Sequence, residues 1–130
     1  MAWVHLVIGL ALAEFFLFCV AVGRARATYH VPAPATTGNE MFERYFRVQM
    51  NTLELLVIFV PSIWLFGHYI NAEAAVGLGI LFIIGRFVYF RSYIKDPKTR
   101  SLGYGLSAFP MLVLLAGAII GAIRGALVHL

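Results

Sequence analysis

The sequence predicts an all-α protein, a four-helix transmembrane bundle forming a single domain over residues 1–130. Three observations lead there. Apolar residue types make up 62% of the chain and charged types only 12%, about half the charged share usual in a water-soluble domain. The apolar residues fall into four runs, most of them near the ~20 residues that an α-helix needs to cross a bilayer. Lysine and arginine collect in alternate loops, as they do on one side of a multi-pass membrane protein.

The first run extends from Trp3 to about Gly23. No basic segment precedes it, it exceeds the apolar part of a signal peptide, and basic residues follow it, so it reads as a retained helix. Pro32 and Pro34 exclude helix from the loop that follows, and Thr36, Thr37, Gly38 and Asn39 continue that loop. The second helix spans Met41 to about Phe66. Its apolar part begins only at Leu53, so its first turns must project from the bilayer or be shielded by protein. The third helix runs from Asn71 to Lys95 and the fourth from Pro97 to Leu127. Between them Asp96 precedes a proline, which disfavours helix at that residue. Asp96 can cap the fourth helix, and Pro97 suits its first position. Pro61 and Pro110 lie inside the second and fourth helices and should bend them, which membrane helices tolerate.

Charge sets an expected orientation. The first loop and its flanks carry Arg24, Arg26, Arg44 and Arg47; the third carries Arg91, Lys95, Lys98 and Arg100, with Arg86 a little deeper. The second loop and the N-terminus carry none, and the C-terminal end only Arg124. The basic loops are therefore expected in the cytoplasm and both termini outside. Short loops and the lack of a retention signal fit a bacterial inner membrane. The net charge of +4 does not indicate nucleic acid, because the few basic residues border apolar runs and suit a membrane surface. A single cysteine, Cys19, excludes an intramolecular disulfide, and no His or Cys cluster has the spacing of a metal site. His5, His68 and His129 fall near the outer face.

The polar residues form a constellation. Arg44, Arg47, Asn51 and Glu54 are spaced by three, four and three, which places them within about 80° of one another on one helix face. Gln49 points far round from that stripe, toward a different partner, such as a neighbouring subunit. Arg86, Tyr89 and Tyr93 make a second stripe, and Arg100 follows at the start of the fourth helix. Glu14, Glu54 and Arg86 each lie about nine residues from the cytoplasmic end of their helix, roughly 13 Å deep at the helical rise. Ionisable groups at that depth pair with one another or face a cavity. The plainer alternatives are that arginines such as Arg24 and Arg91 reach to head groups and that Tyr89 and Tyr93 form an interfacial belt. Several arginines with one carboxylate suit a small zwitterion carrying excess negative charge. Arginine forks match carboxylates, Glu54 suits an ammonium, and an arginine at a helix start stabilises an anion. Composition alone leads no further than an anionic small molecule near the cytoplasmic face.

The run Phe42-Glu43-Arg44 through Gln49, Asn51 and Glu54 resembles the signature of the membrane-associated proteins in eicosanoid and glutathione metabolism, the MAPEG family. Arg26, the Thr36-Thr37-Gly38 loop, Arg86, Tyr89, Tyr93 and Arg100 fall at spacings similar to those of its glutathione-transferase and leukotriene-synthesising members. The resemblance implies a homotrimer with glutathione, as substrate or cofactor and without metal, held between subunits. It implies that Arg47, Asn51, Glu54, Tyr89 and Tyr93 bind glutathione from one subunit and Arg26 and Gln49 from its neighbour. Arg100 matches the arginine that stabilises the glutathione thiolate, and Arg44 and Arg86 match supporting positions. Two departures concern the lipid half of the site: Leu55 stands where the leukotriene-synthesising members have a ligand-contacting tyrosine, and Ala27 where they have a second arginine. Arg100-Ser101 also matches a pair in the prostaglandin-synthesising branch, against which Tyr89 and the lack of an aspartate after Asn51 both weigh.

The implied function is a membrane glutathione transferase, with peroxidase chemistry as a companion, in which the thiolate attacks a hydrophobic electrophile or lipid hydroperoxide arriving from the bilayer. One alternative is a non-catalytic lipid-binding scaffold like the family's lipoxygenase-activating member, against which Arg100, Tyr93 and Glu54 weigh. Another is a transporter or channel subunit, which would spread polar residues through the whole membrane depth. Here they stop about midway.

Overall fold

The computed structural model describes all of residues 1–130. It is entirely helical: α1 Ala2–Tyr29, α2 Glu40–Tyr69, α3 Ala72–Lys95 and α4 Ser101–Val128, with a single 3-10 turn at Pro97–Thr99 before α4. All four helical segments are long and apolar enough to cross a membrane. Many large apolar side chains face outward, among them Trp3, Phe16, Leu17, Val57, Phe87, Phe109 and Leu112, the distribution expected of a chain solvated by lipid or by other copies rather than water.

Two helix ends depart from expectation. Helix α1 continues to Tyr29 instead of ending near Gly23. Arg24, Ala25, Arg26 and Ala27 are all favourable in helices, and Val22 and Ala25 gain burial against Val31 and Phe42 in a small cluster below the first loop. The helix stops where His30 turns left-handed, at φ 57°, and its amide bonds the Arg26 carbonyl. The fourth helix does not begin at Pro97. Asp96 accepts a bond from the Lys98 amide at 3.0 Å, but what it caps is the 3-10 turn, and α-helix resumes only at Ser101 with Arg100 at the junction. The other starts follow local chemistry. Asn39 caps α2 by accepting from the Phe42 amide at 2.9 Å, and Asn71 caps α3 by accepting from the Ala74 amide at 2.8 Å. Gly38 takes φ 125°, a conformation open to glycine, just before the Asn39 cap. Helices α2 and α4 both run on through Pro61 and Pro110.

The main core lies between α1, α2, α3 and α4, where Val4, Val7, Ala11, Phe59, Ile63, Phe82 and Leu114 meet. Phe59 and Phe82 stack with centroids 3.9 Å apart. The α3–α4 crossing is close because both helices present glycine. A Cβ on Gly85 would lie 2.6 Å from the Leu106 carbonyl carbon, and one on Gly103 would collide with the Tyr89 backbone. That approach sets Tyr89 beside the first turn of α4. At the same end, Arg44 donates to the Ile94 carbonyl at 2.9 Å and to the Lys95 carbonyl at 3.3 Å, tying the start of α2 to the end of α3.

Candidate functional site

The basic end of the bundle contains a recess of about 390 Å³ lined by Arg47, Asn51, Tyr89, Tyr93, Arg100 and Tyr104, within the size range of small-molecule sites. Its walls come from α2, α3 and the head of α4. Next to it, a second recess of about 340 Å³ shares Arg47 and Tyr93 and adds Thr36, Glu40, Glu43 and Arg44. Arg47 and Arg100 are exposed, and the Arg100 side chain makes one bond, to the Pro97 carbonyl at 2.9 Å. Most of its guanidinium donors therefore remain available. Tyr89 packs near both Tyr93 and Tyr104, with ring centroids 5.4 and 6.3 Å away.

Arg86 forms the floor. It is the largest fully buried side chain. Its Nε donates to Ser107 Oγ at 2.8 Å, and its Nη1 donates to Asn51 Oδ1 at 2.7 Å and Thr52 Oγ1 at 3.2 Å. Ser107 in turn donates to the Gly103 carbonyl at 2.8 Å. The guanidinium also lies 4.4 Å from the Tyr89 ring centroid, a cation–π distance. One buried cation thus joins α2, α3 and α4 beneath the recess and holds Asn51 by its carbonyl oxygen. The amide NH₂ of Asn51 makes no hydrogen bond within the chain, and Asn51 lines the recess.

The stripes of the sequence are only partly brought together. Arg47, Asn51, Tyr89, Tyr93 and Arg100 share the recess, and Arg44 and Arg86 brace it. Glu54 does not join them: it is exposed on α2, against the expectation of a buried carboxylate. It stands on the same face as Asn51, but a turn beyond the recess, where neither α3 nor α4 covers it. Nor does it pair with Arg86, whose hydrogen bonds go to Asn51, Thr52 and Ser107. Gln49 points to α1 instead and donates to Cys19 Sγ at 3.2 Å. Arg26 secures the first loop through the Ala35 carbonyl at 2.7 Å and the Val31 carbonyl at 3.3 Å, and lies 4.8 Å from the Phe42 ring centroid. Leu55 is buried in the core. The only ion pair in the chain, Arg44 with Glu40 at 2.8 Å, is at the surface. Sequence reading missed Tyr104, Thr52 and Ser107. Tyr104 follows Arg100 by one helical turn, a spacing that could have revealed it. The small hydroxyls carried no such signal.

A lining of two arginines, three tyrosines and an amide can bind carboxylates and stabilise a further anion at Arg100. Four membrane-length helices define an integral membrane protein, with this recess at its basic end. The chain belongs to the MAPEG family, whose model matches residues 4–120. It is 42% identical over 118 residues to an uncharacterised protein of Synechocystis, covering 91% of this chain and 86% of that one. It is 42% identical over 103 residues to human microsomal glutathione S-transferase 2, covering 78% and 70%. With leukotriene C4 synthase of Rattus norvegicus it shares 34% identity over 104 residues, covering 80% and 69%.

Proposed function

We propose that this protein is a membrane glutathione transferase. The observation that carries the reading is the convergence of Arg47, Asn51, Tyr89, Tyr93 and Arg100 on one recess, in a family whose relatives include a glutathione S-transferase and a leukotriene C4 synthase. Glutathione has two carboxylates, one ammonium and a thiol. Arg47, Asn51 and the tyrosines hold the carboxylate ends, and Arg100 faces sulfur. A free thiol has a pKa near 8.5, so little of it is ionised at neutral pH. A cation beside the sulfur favours the thiolate, and the thiol proton leaves to solvent at the open end of the recess. The sulfur then forms a bond to an electrophilic carbon of a hydrophobic substrate arriving from the bilayer, while that carbon's bond to a leaving group or epoxide oxygen breaks and the anion so formed departs or takes a proton from water. With a lipid hydroperoxide, the thiolate takes the terminal oxygen and releases an alkoxide. A second glutathione then displaces water from the sulfenic acid to give the disulfide. Transferase and peroxidase activities thus share one bound thiolate.

The active form is a homotrimer with sites at subunit boundaries. Glu54 supports assembly: a lone charge at such depth facing lipid costs about 2.5–3.5 kcal/mol, which a ligand ammonium or neighbouring chain relieves. The number three comes from the family resemblance. In this assembly Arg26 and Gln49 serve the neighbour's glutathione. The basic loops face the cytoplasm and the termini the outside of a bacterial inner membrane.

The deciding experiment is calorimetric glutathione titration of the detergent-solubilised protein, with its mass measured in the same detergent, followed by a panel of electrophiles and hydroperoxides. Saturable binding by a trimer and turnover of at least one class are expected. No binding at millimolar glutathione would refute the reading, and binding by a monomer would refute the shared site.

A further inference from the structure

The basic end of the bundle carries a second kind of concavity, a cleft of about 380 Å³ between α1 and α3. Arg24, Thr28 and Tyr29 of α1, Tyr45 of α2 and Phe90 of α3 line it, and it shares no residue with the recess. Its shape follows from the packing of the two helices. In the outer half of the bundle α3 turns Gly79 toward α1, and a Cβ there would lie 2.5 Å from the Val7 side chain. At the basic end two aromatic rings, Phe18 and Phe90, stand between the helices, stacked with centroids 4.8 Å apart. The Tyr45 ring meets Phe90 edge-on at 6.0 Å. Arg24 lies about 160° round α1 from Arg26 at the helical period, so the cleft opens on the flank away from the first loop's arginine.

The polar groups of this cleft are uncommitted. Arg26 spends its guanidinium on the Ala35 and Val31 carbonyls, whereas Arg24 bonds nothing, and the chain's one ion pair lies elsewhere. The hydroxyls of Thr28, Tyr29 and Tyr45 donate to no group of the protein either, and no carboxylate is among the lining. A guanidinium with hydroxyl donors around it matches the oxygens of a phosphate. An ammonium would find no counter-charge there and would meet Arg24 instead. Toward the middle of the bundle the surface turns apolar. Leu10, Leu17 and Arg24 are spaced by seven and seven, so they follow one flank of α1, and both leucines are exposed. On α3, Phe87 and Ile80 lie on the same side as Phe90 and are exposed too. A cation and hydroxyls at the membrane surface, with an apolar track leading inward from them, have the layout of a phospholipid. Basic pockets between transmembrane helices bind anionic headgroups in this way.

We propose that the α1–α3 cleft is a binding site for one anionic phospholipid per chain. Arg24 takes the phosphate diester, Thr28, Tyr29 and Tyr45 donate their hydroxyl protons to its oxygens, and an acyl chain lies along Leu17 and Phe87. Because the donors come from α1 and α2, the lipid clamps the end of α1 to the bundle and stabilises the fold by mass action. The site is separate from the glutathione recess and stands whether or not the protein is a transferase.

The test uses full-length protein in a neutral detergent, to which dioleoylphosphatidylglycerol or dioleoylphosphatidylcholine is added. Native mass spectrometry counts the bound lipid and gives its affinity, and thermal unfolding follows stability. The protein should hold one phosphatidylglycerol per chain, bind it at least about tenfold more tightly than phosphatidylcholine, and gain thermal stability from it. Arg24→Gln should weaken that binding about tenfold or more, and Tyr45→Phe about two- to tenfold. Lys98→Gln removes an exposed charge from the same end of the bundle but outside the cleft. It should cost less than about fivefold, the loss expected from general attraction to a basic surface. Equal losses in Arg24→Gln and Lys98→Gln would overturn the proposal, since the lipid would then be held by diffuse charge. Equal affinity for the two lipids would overturn it as well. So would release of bound phosphatidylglycerol by millimolar inorganic phosphate, which would make the cleft a site for a soluble anion.

Discussion

Replacing Arg100 by alanine separates binding from chemistry. Arg100 is exposed and its side chain's single bond, to the Pro97 carbonyl, is local, so folding should change by no more than about 0.5 kcal/mol. Glutathione keeps Arg47, Asn51, Tyr89 and Tyr93, so affinity should fall only modestly. The thiol should respond most. If Arg100 lowers its pKa by about two units, roughly 2.7 kcal/mol, the thiolate fraction at pH 7 is about three-quarters in the native protein and about 3% without the arginine, a ~25-fold loss. Turnover falls by less, because a more basic thiolate is a better nucleophile. A Brønsted coefficient near 0.45 returns about eightfold, leaving a net loss of roughly threefold at pH 7. The sign then reverses. By the same figures the two rates cross at about pH 7.6, and above about pH 9.5, where both forms are ionised, Arg100→Ala should exceed the native rate by roughly sevenfold or more. The assay is the ultraviolet titration of bound thiolate beside kcat across pH 6–10. If the bound-thiol midpoint stays in place after Arg100→Ala, Arg100 serves only as a head-group anchor. A native titration and unchanged turnover together would assign activation of the thiol to another group, whereas glutathione binding with no turnover of any substrate class by the native protein would put the lipid-binding scaffold ahead of the enzyme.

Other consequences follow from the packing and the charges. Gly103→Ala places a methyl in the Tyr89 backbone, whereas Gly105 has open space around it. Overpacking costs typically about 1–3 kcal/mol, so Gly103→Ala should lower the thermal midpoint in detergent and weaken glutathione binding, while Gly105→Ala does neither. Glu54→Gln should leave the folded monomer intact, because Glu54 is exposed, but should weaken glutathione affinity by the loss of an ammonium partner; equal affinity would remove Glu54 from the site. Orientation is checked by cysteine labelling of intact cells in a Cys19→Ser background. A cysteine at Asn71 should react with an impermeant reagent and one at Thr99 should not, and the reverse pattern would invert the topology.

How much was legible in the sequence differs by level. The helices were, because a bilayer demands long apolar segments whose backbone bonds close within the segment. The caps at Asn39 and Asn71 and the break at Asp96-Pro97 are equally local. Helical periodicity also grouped Arg47 with Asn51 and Tyr89 with Tyr93, since residues three or four apart share a face. Periodicity gives a direction about one helix axis, however, and says nothing of what stands opposite. Asn51 and Glu54 share a stripe, yet only Asn51 meets Arg86 and the recess, while Glu54 emerges on the surface. The difference comes from the tertiary crossing. Gly85 and Gly103 let α3 and α4 approach closely, which brings Ser107 to Arg86 and sets Tyr104 beside Tyr89. The sequence by itself determined which residues could face the site. Only interhelical packing decided which of them do, because neighbours on different helices are set by the distance and angle of crossing, and not by spacing along the chain.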